Sequence, residues 1–291
     1  MNDNHEADIN PLSARMFGRT GPEVTIVGLG GEGILRTHGQ EKTAQAVIEE
    51  AIAQGISYFD SARVYAGSES YYGSIWAKSP EARARVFQAS KSASRNRQGA
   101  LADLERSIST LGVDYLDLWQ IHDVQTRKEL EVIAGPGGAL EAFIEAKEMG
   151  KTRHIGVTGH HDPDVLTAAV LEWSVDSVML PVNPVEGALS GFLDKTLPAA
   201  REKGLAVIGM KILGASGYIS AERGITPEKL IRYALSQDIT VAIVGCSTPS
   251  HVNTLADMGR NFQPMSFEEQ NSLVDWFRPY ATKMAYYRGV V

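Results

Sequence analysis

VGLGGEGIL, residues 27–35, closes the apolar run VTIVGL and carries Gly28, Gly30 and Gly33 in the spacing G-x-G-x-x-G. In an open Rossmann sheet that spacing marks the turn from the first strand into a helix, and the helix N-terminus faces a dinucleotide's pyrophosphate. Glu49 and Glu50 even stand near the distance at which such a fold carries its ribose-binding acid. The helix, however, comes too late. The polar segment ILRTHGQEKT follows Gly33, and apolar residues recur at helical spacing only from near Glu41, with Ala44, Val47, Ile48, Ala51 and Ile52. A helix separated from the glycines by about eight loop residues cannot present its N-terminus to a phosphate that they hold. The stretch is read instead as a strand and a glycine-rich loop.

On its N-terminal side, RMFGRTGPEVTIVGLG reads as two short strands around a Gly-Pro turn. Residues 1–12 are expected to be a disordered tail. On its C-terminal side, strand-like runs alternate with amphipathic helices. ISYFDSA precedes a helix from about Ser68, RVFQASK precedes one bearing Leu101, Leu104, Ile108 and Leu111, and DYLDLWQIH precedes one bearing Leu140, Phe143 and Ile144. RHIGVTG leads to PDVLTAAVLEW, SVDSVMLPVN to a helix near 190–203, LAVIGMKIL to PEKLIRYALSQ, and TVAIVGCS to SHVNTLADM. With VTIVGL these make eight strand–helix pairs. Continuous β-branched runs between helices indicate a parallel sheet covered on both faces. Eight such units predict a closed cylinder more than an open sheet. The fold class is therefore α/β, a (β/α)8 TIM barrel with an N-terminal β-hairpin and an additional C-terminal helix. It is expected as a single domain over residues 1–291, with SFEEQNSLVDWF, capped by Ser266, opening the terminal segment 266–291.

The net charge of −7 and the lack of a basic stripe speak against nucleic acid. The longest apolar runs fall far short of the ~20 residues of a membrane helix. The polar, acidic start MNDNHEADINPLSARMF lacks the pattern of a signal peptide. A single cysteine, Cys246, excludes an internal disulfide and a cysteine-based zinc site, and is read as a packing residue. A cytoplasmic monomer or homo-oligomer acting on a small molecule is the expectation.

Barrel enzymes carry their chemistry at the C-terminal ends of the strands. There this sequence offers Asp60, Arg63 and Tyr65, then Lys91, then His122 and Asp123, then Thr158, His160, His161 and Asp162. These residue types suit proton transfer to a carbonyl oxygen. A free phenol, with a pKa of about 10, is a poor donor at neutral pH, and a nearby ammonium would lower it. A carboxylate would keep that ammonium charged and fixed. A neutral imidazole can hold the oxygen as charge develops there. No side chain carries hydride, so a nicotinamide cofactor is called for.

These residues resemble the aldo-keto reductase family. FDSARVYAGSESYYG is similar to its motif of Asp, four residues and Tyr, followed by Ser-Glu and Gly, here Asp60, Tyr65, Ser68, Glu69 and Gly73. FQASK resembles the strand of the family lysine, and LADLERSISTLGVDYLDLWQIHD the helix and strand that lead to its histidine. GKTRHIGVTG resembles the segment beside the nicotinamide, and GMKILG and VGCSTPSHV resemble the segments around the phosphates. The likeness runs in order from about Phe17 to Met258. It implies a metal-free carbonyl–alcohol oxidoreductase using NADP(H), with NAD(H) also open. By this resemblance Tyr65 is the general acid or base, Lys91 its tuning partner, Asp60 the holder of Lys91, and His122 the substrate-orienting donor. Gly30 and Gly31 are placed beneath the cofactor. Thr158, Asn183, Met210, Lys211, Leu213, Gly214, Gly245, Ser247, Thr248 and His251 are placed around it.

Several positions depart from the family pattern. Its Ser-Asn pair is Thr158–Gly159, Asn183 stands where a glutamine is usual, and Met210 replaces a stacking aromatic. Gly245 and His251 stand where many members carry the lysine and arginine that face a 2′-phosphate. Two other functions are weighed. One is a cofactor-sensing subunit without turnover. The other is a metal-dependent hydrolase using His160, His161 and Asp162 with His122 and Asp60, against which adjacent histidines are expected to point apart. His154 and Asp117 are read as structural, Arg63 as a surface ion pair, and Trp119 as lying near the mouth. The substrate walls are expected from QTRKELEVIAGPGG, VEGALSG and the tail YATKMAYYRGVV.

Overall fold

The structure, a computed structural model, describes residues 10–289. Strands β1 (Ala14–Met16) and β2 (Glu23–Thr25) form an antiparallel hairpin, with Arg15 opposite Val24. Eight more strands follow: β3 (Val27–Leu29), β4 (Tyr58–Phe59), β5 (Phe87–Ser92), β6 (Leu116–Ile121), β7 (Thr152–Thr158), β8 (Ser177–Pro181), β9 (Ala206–Met210) and β10 (Val241–Val244). They run parallel in chain order, and β10 returns to β3 with Ala242 opposite Val27, closing the barrel. The stretch 27–35 thus supplies the first barrel strand and then a short 3-10 turn, Gly33–Arg36, before the helix Glu41–Ala53.

After that helix, Ser68–Trp76, Arg97–Leu111, Ala139–Glu148, Pro163–Glu172, Leu197–Glu202, Pro227–Leu235 and Pro249–Arg260 follow the remaining strands in turn. The helix expected near 190–203 opens as a π turn, Phe192–Thr196. Pro198 explains the interruption, because it has no N–H to return to the carbonyl of Asp194. Two helices lie within connections that the sequence reads as loops. Arg127–Ala134 is closed by a reciprocal cap between Thr126 and Glu129, and the single turn Pro184–Ala188 is capped by Asn183. The predicted C-terminal helix is Phe267–Phe277, and Ser266 and Glu269 form its capping box.

The apolar core has two parts. One fills the space between barrel and helices; the other fills the barrel itself, with Tyr58, Phe87, Ala89, Leu118, Met179, Ile208 and Val241. Phe17 and Val24 of the hairpin enter the inner part, with Phe17 4.6 Å from the Phe87 ring and 5.3 Å from His154. The hairpin therefore stoppers the end of the barrel where the strands begin. His154 is a packed histidine there, as read, and burial lowers its pKa. Asp117 is structural: it accepts from the Gln88 N–H at 2.9 Å and pairs with Arg83 at 2.8 Å. Trp119 does not face the mouth. It stacks on Phe143 at 3.6 Å on the outer side of the sheet and is fully buried. Of the expected tail, residues 1–9 lie outside the described residues, while Leu12 packs on the outer core and Ser13 donates to the Gly259 carbonyl. No helix among the described residues is long and apolar enough to cross a membrane.

Candidate active site

Strand periodicity gathers the reactive groups. Side chains two residues apart on a strand share a face. Tyr58, Ala89 and Leu118 belong to the barrel interior. Asp60 and Lys91, two positions further on, and His122, four further on, must then point inward above that apolar floor. Lys91 Nζ lies 2.6 Å from Asp60 Oδ2 and also donates to the Ser61 carbonyl at 2.8 Å. Both side chains are buried. Burial disfavours each charge, raising the Asp60 pKa and lowering that of Lys91, while the attraction between them opposes both shifts.

Tyr65 comes from the loop after β4. Its hydroxyl stands 3.5 Å from His122 Nε2, with the rings edge to face at 81°. Lys91 Nζ is 4.9 Å and the Arg36 guanidinium 5.0 Å from the centroid of its ring. Attraction between these cations and the ring holds the phenol in place. The expected lowering of the phenol pKa is not found. Burial, aided by the carboxylates of Asp60 and Glu32, pushes Tyr65 well above its ordinary value, and Arg36 pulls the other way. The ammonium of Lys91 is already engaged by Asp60. Burial likewise pushes His122 well below the ordinary histidine range, with the charge of Lys91 adding to the effect. The site therefore rests as a protonated phenol beside a neutral imidazole.

Two adjoining cavities open at this end. The first, about 310 Å³, is lined by Gly30, Gly31, Asp60, Tyr65, Met210, Lys211, Leu213, Gly214, Gly245 and Ser247 from the predicted set. The second, about 330 Å³, adds Lys91, His122 and Thr158, and the two share Tyr65, Met210 and Lys211. Thr248 and His251 sit beyond the first cavity at the exposed start of helix Pro249–Arg260, where Thr248 Oγ1 accepts from the His251 N–H at 3.3 Å. This helix N-terminus and Ser247 face the same end, an arrangement that suits phosphate. Met179, Met210, Ile243 and Tyr286 give the same cavity an apolar wall for rings. An elongated dinucleotide thus fits the residues present. Cys246 is buried beside this region and its thiol is pushed up to about 12 by burial, as suits a packing residue.

The glycines serve a purpose the sequence does not reveal. A Cβ on Gly31 would lie 2.7 Å from the Tyr65 ring, and one on Gly30 3.0 Å from the backbone at Gly245. They let parts of the protein approach one another, and only then line the cavity. Gly31→Ala is accordingly expected to fold but to push the phenol aside. A displacement of about 1 Å costs on the order of 10²-fold in turnover. The check is steady-state kinetics beside thermal unfolding, and unchanged turnover would contradict the packing argument.

Asn183 is placed differently from the expectation. It is buried and its amide is engaged within the protein. Nδ2 donates to the Lys211 carbonyl at 3.1 Å and the Tyr287 hydroxyl at 3.0 Å, and Oδ1 accepts from the Glu186 N–H at 3.0 Å. Its contact with a ligand would require breaking these bonds. The C-terminal tail is held at the same place. The Tyr287 hydroxyl donates to Glu186 at 2.8 Å, Arg288 pairs with Glu186, and Tyr286 lines the first cavity. Arg63 pairs with Glu69, which is buried and accepts from Ser90 at 2.7 Å, so the pair is not a surface one.

The five groups weighed as metal ligands do not assemble. Asp60 is committed to Lys91, and Asp162 Oδ1 caps helix Pro163–Glu172, accepting from the Asp164 N–H at 2.8 Å. The adjacent histidines do not point apart, however: their rings stack at 5.4 Å. Sequence reading also missed Arg36, Glu32, Arg95 and Gln125 on the second cavity. It overlooked backbone strain too. Asp123, two residues past β6, and Lys211, directly after β9, adopt left-handed φ values of 54° and 56°, which few non-glycine residues adopt.

A closed barrel with a buried Asp–Lys pair under a tyrosine and a histidine defines a class of acid–base enzyme scaffold. The model of the Aldo/keto reductase family matches residues 26–229, and the chain belongs to that family. L-galactose dehydrogenase of Arabidopsis thaliana is 30% identical over 216 residues, a match covering 68% of this chain and 64% of that protein. The matched region spans less than two thirds of the length of the first curated relatives. Among solved structures, the aldo-keto reductase AKR11C1 of Bacillus halodurans in its holo form superposes with a TM-score of 0.74 at 20% identity, covering 96% of this chain and 98% of that one. An aldo-keto reductase of Klebsiella pneumoniae in complex with NADPH gives 0.73 at 21% identity, over 92% and 95%. At these identities the two structures speak for the fold.

Proposed function

We propose that this protein is an NADP(H)-dependent oxidoreductase that interconverts a carbonyl and an alcohol, with Tyr65 as general acid and base. The observation that carries this reading is the Tyr65 hydroxyl 3.5 Å from His122, over a buried Lys91–Asp60 pair at 2.6 Å. The relatives described in complex with NADPH or NADP support the cofactor class. NAD(H) stays open, since Gly245 and His251 replace the usual phosphate-facing cations. Gly30, Gly31, Met210, Lys211, Leu213, Gly214, Gly245 and Ser247 would hold the cofactor along the first cavity, with Thr158 in the adjoining second cavity and Thr248 and His251 beyond the first. The chemistry supplied by a bound nicotinamide is a hydride to the carbonyl carbon.

The chain's own residues handle the oxygen. His122, neutral, hydrogen-bonds the carbonyl oxygen and fixes its place beside Tyr65. The protonated phenol gives its proton to that oxygen as charge gathers there, and in the reverse direction its phenolate takes the alcohol proton. Lys91 then faces a developing phenolate, and its ammonium stabilises it. Arg36, Arg95, Asp123, Gln125 and His160 wall the second cavity with groups suited to hydroxyls. Two relatives, L-galactose dehydrogenase and D-galacturonate reductase, are named for sugar-type substrates. Sugar aldehydes and lactols therefore head the panel of candidates.

Initial rates with NADPH and NADH against such a panel test the proposal, and pH sharpens the test. Tyr65 is shifted upward, so the acid form is present across neutral pH. Reduction should stay flat there and fall only in alkali, while alcohol oxidation should climb with pH. His122 is shifted downward, so no acid limb of reduction should appear near the ordinary histidine value of about 6.5. A loss of reduction rate centred there, abolished in His122→Gln, would contradict the neutral imidazole. No turnover with either nucleotide across the panel would overturn the enzyme reading.

A further inference from the structure

We propose that Asp123, His160 and His161 form a binding site for one divalent transition-metal ion on the wall of the second cavity, separate from the Asp60–Lys91–Tyr65 group. Their ligand atoms all lie within 4.8 Å of one another, and no other such group of three occurs among the described residues. His160 Nε2 stands 3.2 Å from Asp123 Oδ1. Ligands held about 2.0–2.1 Å from a tetrahedral zinc ion are about 3.3 Å apart. This pair therefore already has the separation of one edge of a coordination shell.

The hydrogen bonds around the pair leave its lone pairs free. His160 Nδ1 is 3.0 Å from the Tyr287 carbonyl oxygen. A carbonyl can only accept, so Nδ1 carries the ring proton and a neutral ring presents a bare Nε2 to Asp123. A ligating histidine is usually fixed in this way, its second nitrogen donating to a backbone carbonyl. Asp123 Oδ2 accepts from Gln125 Nε2 at 2.6 Å, but its Oδ1 is buried and without a hydrogen-bond donor. An unpartnered carboxylate oxygen facing an imidazole lone pair is repulsive until a proton or a metal ion lies between them, and the third ligand atom nearby favours the metal.

The scaffold under the pair is rigid. The Asp123 N–H donates to Thr158 Oγ1 at 2.8 Å, and Arg95 grips the carbonyls of His122 and Asp123 at 2.7 Å each. Two imidazoles and one carboxylate suit zinc, cobalt or nickel more than calcium or magnesium. Three protein ligands would leave a four-coordinate ion one position for water. An ion there would stand one residue from His122 and narrow the substrate wall, so its effect on turnover is inhibition. The site itself does not rest on the reductase reading; only the inhibition does.

The test is titration of tag-free protein with Co²⁺, in the absence of nucleotide and substrate, followed by visible absorption. One equivalent should produce the d–d bands of a four-coordinate ion, and Zn²⁺ should abolish them. His160→Gln and His161→Gln should each weaken binding by at least about 10-fold. His161→Gln should keep its metal-free turnover, and in the unaltered protein chelator should relieve inhibition by zinc without lowering basal activity. Absence of the bands, or equal binding by the protein and both variants, overturns the site whatever the outcome with carbonyl substrates. Unchanged thermal unfolding of both metal-free variants excludes misfolding as the cause of a loss.

Discussion

Replacing Tyr65 by phenylalanine is expected to lower turnover by roughly 10² to 10⁴, the usual worth of a positioned general acid, and to leave nucleotide binding intact. The substitution removes one oxygen and little else. The ring keeps its neighbours, with Lys91 at 4.9 Å and Arg36 at 5.0 Å from its centroid, and it still fills the space against Gly31. What disappears is the proton beside His122. Single-turnover rates and calorimetric titration with NADPH separate the two quantities. Near-normal turnover would remove Tyr65 from its role, and lost nucleotide binding would show that the phenol is structural.

The second large effect concerns the ion pair beneath it. Asp60→Ala should destabilise the fold by about 3–5 kcal/mol, because it strands a buried ammonium whose remaining partner is the Ser61 carbonyl. Removing both charges, as Asp60→Asn with Lys91→Met, should recover much of that loss. Replacing a buried pair by uncharged groups of similar volume is often close to neutral. Turnover should stay low in both proteins: the double variant has no ammonium to meet a developing phenolate, and Asp60→Ala leaves Lys91 with only the Ser61 carbonyl to hold it. Denaturant unfolding beside activity distinguishes these roles. An Asp60→Ala protein as stable as the parent would mean that Lys91 sheds its proton when left alone.

Much of this was legible in the chain itself. Strand ends in a parallel barrel sit at one rim, so Asp60, Lys91 and His122 meet as a consequence of alternation along β4, β5 and β6. The delayed helix after Gly33 was enough to reject the open sheet. Other features depend on contacts between segments far apart in sequence. Asn183 reads as a cavity residue until Tyr287, 104 positions away, is seen to occupy its amide. Arg36 lies in what reads as a polar loop, and nothing in ILRTHGQEKT shows that its guanidinium approaches a tyrosine ring. Neighbouring histidines on an extended strand alternate, which is why GHHD reads as divergent. The sequence lies just past the end of β7, where that rule lapses and both rings turn toward Asp123. The phenol's upward shift is not legible in the residues at the strand ends, because burial, its largest cause, shows only in the packed structure.

The hairpin that buries Phe17 under the strands has a bearing on how material moves. A cylinder corked at its base works as a cup, not as a pipe. Whatever departs must cross the lip over which the next arrival comes, so traffic is alternating and never through-flowing. Clearance of that lip, partly furnished by Tyr286, is a step that each cycle must include.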